Sequence, residues 1–298
     1  MMALLHKIIN ARKITWISSK DGDPETLSRL DERMRDFYST STGREDYQKL
    51  LDYENGEKIE ETSIGYELLK YISGIISQNG QVLEVGCGRG NILRELQTTR
   101  PFSNYYGIDV APYIINMNKE EFSNINWEVG TAYNIPYSDG KFDICYSHYV
   151  LEHLIYIEAA LKEMMRVLKP DGKLILIFPD FVELKVMCSQ FIGLSPIPTA
   201  KEKLIRGRIL DSIISLYDSR IRIPNRLRHI QDYGAFPINV NPICLGYPEY
   251  SRPDLDALYI ASKNEIANWA KLNHYTVSFP YGSKGRFRTQ AFMVISRS

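Results

Sequence analysis

Apolar and polar positions change their spacing along the chain, and each spacing predicts a kind of element. From 61 to 77 the apolar positions recur at helical spacing, and Asn79–Gly80 ends the predicted helix. Short apolar runs then alternate with helical segments, which is typical of a parallel sheet covered by helices on both faces. Strands are predicted at 81–86, 104–109, 126–130, 142–148 and 173–179, and helices at 89–97, 112–121 and 155–168.

The alternation of strands and helices ends after Asp180. Residues 181–223 are predicted to be helical, whereas four prolines and two glycines within 234–254 predict an irregular loop. Ser262–Glu265 has the S-x-x-E spacing of a capping box, which predicts the start of one more helix. The short connection between two final strands, at 275–280 and 291–298, predicts that they pair antiparallel.

This order of elements predicts an α/β, Rossmann-like fold. The expected core is a seven-stranded, mostly parallel sheet with an antiparallel last strand, carrying an N-terminal helical cap and a helical lid insertion. A chain of 298 residues is long enough for such a core and its elaborations. The predicted divisions are the cap at 1–60, the main core at 61–182, the insertion at 183–254 and the C-terminal part of the core at 255–298.

Composition and charge exclude several classes of protein. Hydrophobic residues make up 44% and charged residues 24% of the chain, as in ordinary globular proteins. The formal net charge is zero, so no overall attraction to nucleic acid or an anionic membrane is expected. The four cysteines lack metal-binding spacing, which favours a reducing, cytoplasmic setting without a metal. Neither a membrane span nor a signal peptide is predicted.

The most informative segment is an apolar strand that enters a glycine-rich turn at Gly86, Gly88 and Gly90. Glycines leave the turn without side chains, so the backbone can come close to a ligand. Asp109 ends the next apolar run, where its carboxylate can accept hydrogen bonds from two vicinal ribose hydroxyls. The alternative role for Asp109 is to cap the helix that follows. Together these features predict half of a nucleotide-binding crevice.

Four segments, in this order and spacing, resemble the class I S-adenosylmethionine-dependent methyltransferases, especially the methyltransferase type 11 group. They are residues 82–90, 107–109, 135–143 and 166–174. The resemblance covers 61–182 and, more weakly, 255–298. It implies that the chain is a methyltransferase and that S-adenosyl-L-methionine is its cofactor.

The resemblance also implies which residues hold the cofactor. Glu84 lies in an apolar strand, where a carboxylate is costly without a partner, and the family places it near the cofactor's ammonium group. Many relatives recognise adenine through an acidic residue where this chain has Thr131, so Thr131 or the backbone around Ala132 takes that contact. The implied cofactor-binding residues are Glu84, Gly86, Cys87, Gly88, Gly90, Asp109, Val110, Thr131, Ala132 and Ser147.

Candidate bases follow the fourth and fifth predicted strands. Transfer from a sulfonium needs positioning, desolvation and, for a hydroxyl acceptor, a base. His148, His153 and Asp180 are the predicted catalytic residues, and His153 resembles a histidine found at this place in several small-molecule methyltransferases. The alternative is that His153 and Glu152 only cap or pack against the following helix. An amine acceptor would need no strong base.

The insertion is expected to lie above the crevice and, by resemblance, to recognise the acceptor. An excess of Lys and Arg between 201 and 229 either holds an anionic acceptor, such as a phosphate-bearing sugar, or is a solvated helix face. Aromatic side chains either line the acceptor pocket or serve ordinary packing. The predicted substrate residues are Tyr38, Tyr149, Phe236 and Tyr247.

The sequence therefore predicts methyl transfer to an oxygen or nitrogen of a small-molecule or saccharide acceptor. A C-methyltransferase with a quinone or lipid-like acceptor and a non-catalytic cofactor-binding partner protein remain alternatives. A nicotinamide dehydrogenase is disfavoured because the turn is G-x-G-x-G instead of G-x-G-x-x-G. A nucleic-acid partner is not expected, given the neutral charge and the absence of an Asn/Asp-Pro-Pro-aromatic motif.

Overall fold

The computed structural model describes residues 16–39, 59–184, 200–217, 234–240 and 256–298, together with 220–221, 225, 242 and 245. Nine strands lie in these parts of the chain. They are β1 (Trp16–Ser18), β2 (Gln81–Val85), β3 (Asn104–Asp109), β4 (Asn126–Val129), β5 (Phe142–His148), β6 (Leu168–Pro179), β7 (Pro237–Asn239), β8 (Tyr275–Ser278) and β9 (Gln290–Arg297).

Seven of these strands form one sheet in the order β4-β3-β2-β5-β6-β9-β8. The strands from β4 to β6 pair in parallel, whereas β9 runs antiparallel to both β6 and β8. The predicted seven-stranded, mostly parallel sheet with an antiparallel last strand is thus confirmed. The parallel strands end at one edge of the sheet, so their carboxyl-terminal side chains share that edge.

Helices cover both faces of the sheet and extend beyond it. They are α1 (Pro24–Ser39), α2 (Ile64–Ile75), α3 (Asn91–Thr99), α4 (Pro112–Glu121), α5 (Ile157–Arg166), α6 (Phe181–Leu184), α7 (Ala200–Ile205), α8 (Ile209–Tyr217) and α9 (Lys263–Leu272), with 3₁₀ turns at Leu151–His153 and Gly285–Arg288. No helix in the described ranges is both long enough and apolar enough to cross a bilayer.

The core has a separate hydrophobic cluster on each face of the sheet. Along β2, Leu83 and Val85 join one cluster while Val82 joins the other. Such burial on both faces accounts for the mostly apolar sequence of this strand. The N-terminal helix α1 packs into the first cluster through Leu27 and Met34.

The structure corrects two sequence predictions about strands. First, β1 and β7 form a two-stranded antiparallel sheet, with Ile17 opposite Ile238, in segments predicted to be helical and irregular. Their pairing joins residues far apart in sequence, so neither three-residue strand has a local pattern of its own. Second, β6 begins at Leu168 instead of at the predicted position 173, and its pairing with β5 has a register shift between Phe142 and Ile144.

The helix predicted from the capping box is present, because α9 begins at Lys263. The predicted capping contacts, however, are wrong. The Ser262 side chain makes no capping hydrogen bond. Glu265 is buried, and its carboxylate accepts from the Phe236 N–H at 2.9 Å and from the Tyr259 hydroxyl at 2.8 Å. The side chain of Asp180 accepts a hydrogen bond from the Lys263 N–H at 3.2 Å instead.

Candidate cofactor and acceptor site

The glycine bend connects β2 to α3. Gly86, Gly88 and Gly90 have φ values of 72, 47 and 68°, in the left-handed region that glycine adopts at little cost. A Cβ on Gly90 would lie 2.2 Å from the ring of Trp127. The third glycine is therefore required by backbone conformation and by a close approach from β4, independently of any ligand.

Asp109, at the end of β3, faces the bend. Its Oδ2 accepts from the Gly88 N–H at 2.9 Å, and its Oδ1 accepts from the Ala111 N–H at 2.9 Å. The carboxylate thus holds both the bend and the segment that enters α4. Its predicted contact with a ribose stays a prediction. Burial raises the pKa of Asp109, and these backbone N–H groups oppose the rise. Each carboxylate oxygen keeps a further lone pair with which to accept from a ribose hydroxyl.

Glu84 lies two residues before the bend and is almost completely buried. Its Oε2 has no hydrogen-bond partner among the residues described. Burial raises the pKa of Glu84 to about 8, with Asp109 adding to the rise and the Tyr146 hydroxyl opposing it. A buried carboxylate oxygen without a donor is costly, and a ligand ammonium group is a donor that would satisfy it. The residues present therefore fit the predicted cofactor at its amino-acid end.

The other predicted cofactor residues occupy the same edge of the sheet. Ser147 is buried on β5, and its Oγ has no hydrogen-bond partner in the described ranges. Thr131 forms an isolated antiparallel bridge with Asn134 just after β4. Cys87 and Ala132 are buried, and burial raises the pKa of the Cys87 thiol. Val110, which follows Asp109, is half-buried.

His148 and Tyr149 lie at the carboxyl end of β5. Burial lowers the pKa of His148 to about 4, so its imidazole is neutral at physiological pH. The His148 Nε2 lacks a hydrogen-bond partner among the described residues, and the ring lies 4.5 Å from that of Tyr149. Tyr149 has a φ of 56°, an uncommon conformation for a residue with a side chain. Backbone strain at a residue with a side chain is common at functional sites.

The structure places Tyr38 and His153, which are far apart in sequence, on the same carboxylate. The Tyr38 hydroxyl donates to Asp256 Oδ2 at 2.9 Å, and His153 Nδ1 lies 3.6 Å from that oxygen. The backbone carbonyl of Glu152 accepts from the N–H groups of Leu258 and Tyr259, which holds this segment against the 3₁₀ turn. Sequence reasoning missed Asp256, because no regular pattern surrounds it.

Asp180 and Phe236 have structural contacts that their predicted roles did not anticipate. Besides its bond to Lys263, Asp180 accepts from the Glu183 N–H at 3.1 Å, so its carboxylate serves the first turns of both α6 and α9. Phe236 is 1% exposed and packs against Tyr259 in the core, not in an open pocket. Both contacts favour a structural role. Tyr247 lies outside the described residues.

No group of three or more His, Cys, Asp or Glu side chains could hold a metal ion in the part of the chain that the structure describes. The candidate cofactor site consists of the bend with Glu84 and Asp109.

Comparisons with known proteins indicate similarity to methyltransferases. Residues 83–176 match a family model described as a methyltransferase domain. An uncharacterized methyltransferase of Schizosaccharomyces pombe is 31% identical over 35% of this chain and 40% of its own length. A sterol 4-C-methyltransferase of Caenorhabditis elegans is 27% identical over 40% of this chain and 37% of its own length.

A ubiquinone/menaquinone biosynthesis C-methyltransferase of Geotalea daltonii is 26% identical over 53% of this chain and 69% of its own length. The chain thus spans about two fifths of the length of the first two relatives. Residues 83–176 thus match a methyltransferase domain in sequence, and they lie within the mostly parallel sheet described above.

Proposed function

We propose that this protein is an S-adenosylmethionine-dependent methyltransferase that methylates an oxygen or nitrogen of a small-molecule or saccharide acceptor. The observation that supports it most is the pair of buried carboxylates at the glycine bend. Asp109 bonds to the bend itself, whereas Glu84 Oε2 lacks a donor among the described residues. This pair suits a ligand with vicinal hydroxyls and an ammonium group.

In this proposal the chain's own residues bind and orient. Asp109 accepts from the ribose, Glu84 accepts from the ammonium group, and Thr131 or the backbone near Ala132 contacts the adenine. The bound cofactor supplies an activated sulfonium methyl group. Ser147 is buried at the same edge of the sheet, and His148 beside it is half-buried.

On the acceptor side, His153 is the proposed base for a hydroxyl acceptor. Asp256 Oδ2 lies 3.6 Å from its Nδ1, and Glu152 Oε1 lies 3.9 Å from its Nε2. In this proposal the charge of Asp256 favours the tautomer whose Nε2 accepts a proton. Tyr38 shares that carboxylate and closes the site from α1. We further propose that the insertion at 183–254 contributes acceptor recognition.

Carbon methylation of a quinone or lipid-like acceptor is the second candidate. Two of the relatives are named as C-methyltransferases, one for sterols and one for ubiquinone and menaquinone biosynthesis. A phenolic ring acceptor would also benefit from His153 as a base, since deprotonation of its hydroxyl activates the ring carbon. The two candidates differ in the atom that carries the new methyl group.

Binding of labelled S-adenosylmethionine tests the cofactor site. Asp109→Ala should lower its affinity by at least about a hundredfold, because it removes the ribose acceptor and loosens the bend. Asp171→Ala is the matched control, since this exposed carboxylate lies far along the chain from the bend. Unchanged binding by a folded Asp109→Ala protein would contradict the assignment.

Release of S-adenosylhomocysteine with panels of phenols, sugars, amines and quinols tests the acceptor. Mass spectrometry of the product identifies the methylated atom. With a hydroxyl acceptor, His153→Gln should lower kcat by about a hundredfold or more and leave cofactor binding intact. Asp256→Asn should cause a smaller loss and shift the pH profile of kcat. No turnover with any acceptor would favour the non-catalytic alternative.

A further inference from the structure

The helices α7 and α8 form a hairpin whose polar side chains face inward. Lys203 Nζ lies 2.7 Å from Ser215 Oγ, and both side chains are buried. The Ser212 hydroxyl donates to the Ala200 carbonyl at 2.7 Å. The hairpin is therefore held together largely by polar contacts between its two helices.

Its outer face is apolar. A surface helix of a globular domain normally buries its large apolar residues. In α8, Ile214 is the only one of them that is buried. The remaining large apolar residues of the hairpin are between 39% and 74% exposed. They are Leu204, Ile205, Ile209, Leu210, Ile213, Leu216 and Tyr217. A contiguous exposed apolar face of this kind marks a contact surface.

The charges beside this face are basic. Among the described residues from 200 to 221, the exposed charged side chains are Lys201, Arg206, Arg208 and Arg220. Of the two described acids, Asp211 is buried and pairs with Arg208, and Glu202 is half-buried. An apolar helix face bordered by Lys and Arg is the pattern of helices that lie at an anionic membrane surface.

We propose that the outer face of the α7–α8 hairpin docks on an anionic lipid bilayer. The apolar side chains insert at the boundary between headgroups and acyl chains, and the side chains of Lys201, Arg206 and Arg220 contact lipid phosphates. A second copy of the chain is a less suitable occupant, because a symmetric interface would bring the same basic residues of both copies together. The chain as a whole has no net charge, so the positive charge of the hairpin is a local feature.

Co-sedimentation of the full chain with vesicles tests the proposal. One set contains phosphatidylcholine alone, and the other contains about one quarter phosphatidylserine. We expect binding to the anionic vesicles that weakens with salt. The double variant Ile205→Glu, Ile213→Glu should lose at least about tenfold in partitioning, since a charge on the inserted face opposes burial. Reversing Lys201 and Arg206 to Glu should reduce binding mainly at low salt.

Leu272→Glu is the matched control, because Leu272 is 78% exposed on α9, outside the hairpin. It should bind vesicles like the unchanged chain. Failure of the unchanged chain to bind anionic vesicles would overturn the proposal, as would equal binding by the double variant. A dimer that the double variant dissociates, without vesicle binding, would instead assign the face to a second copy. S-adenosylmethionine binding by each variant reports on the proposed function separately.

Discussion

Glu84 and Glu265 are both buried glutamates, one in β2 and the other in α9. Burial raises the pKa of each to about 8. They differ in their hydrogen bonds. Glu265 accepts from the Phe236 N–H and the Tyr259 hydroxyl, whereas Glu84 Oε2 has no partner among the described residues. Similar burial therefore accompanies two different roles, and the donors around each carboxylate distinguish them.

Glu265 joins parts of the chain that are distant in sequence. Phe236 precedes β7, which pairs with β1 next to the N-terminal helix α1. Because its donors belong to the protein itself, Glu265 stabilises the fold. Glu84 instead lowers the stability of the free protein, since its desolvation is not offset to the same degree. Such a cost at the glycine bend is expected of a binding site.

Replacement of each glutamate by leucine should separate the two roles most clearly. Glu265→Leu leaves a buried N–H and a buried hydroxyl without an acceptor, so the free energy of unfolding should fall by about 2–5 kcal/mol. Glu84→Leu should leave stability unchanged or higher and abolish cofactor binding. Denaturant unfolding and calorimetric titration measure the two quantities. Equal destabilisation by both variants would remove the distinction.

The pH dependence of cofactor affinity sharpens the comparison at Glu84. A bound ammonium group favours the ionised carboxylate, so binding releases a proton below pH 8. Affinity should therefore rise with pH, by at most about tenfold per unit, until the cofactor's own amine deprotonates near pH 8. Titrations across this range check the slope. Glu84→Gln should flatten it, and Glu265→Gln should leave it as it is.

The pH dependence of protein stability, which involves Glu265, should change less than the pH dependence of cofactor affinity. Because folding raises the pKa of this carboxyl from 4.5 to about 8, the folded state holds its proton more tightly. Its contribution to stability is complete below about pH 4.5 and is lost as the pH rises to 8. Glu265→Gln should reduce this decline by about 1 kcal/mol per pH unit, as measured by urea unfolding. A slope equal to that of the unchanged chain would argue that Glu265 is already ionised.

The parts of the fold predicted from sequence are those with local causes. The strand from Gln81, the bend and Asp109 follow from periodicity and from glycines that need positive φ. The contacts that were missed join distant residues. Asp256 meets His153 only because backbone bonds from 258 and 259 reach the Glu152 carbonyl. At the start of α9, Asp180 accepts the hydrogen bond that was predicted for Ser262. Asp180 is far from α9 in sequence, so no spacing within one segment could predict this contact.

The Trp127 indole lies directly against the third glycine of the bend and is 4% exposed. Its Nε1 donates to the Phe122 carbonyl at 2.9 Å, which fixes its orientation. The chain has only two other tryptophans, Trp16 and Trp269. Any displacement of the bend on ligand binding must alter the surroundings of this indole, so the protein carries its own fluorescent reporter of occupancy.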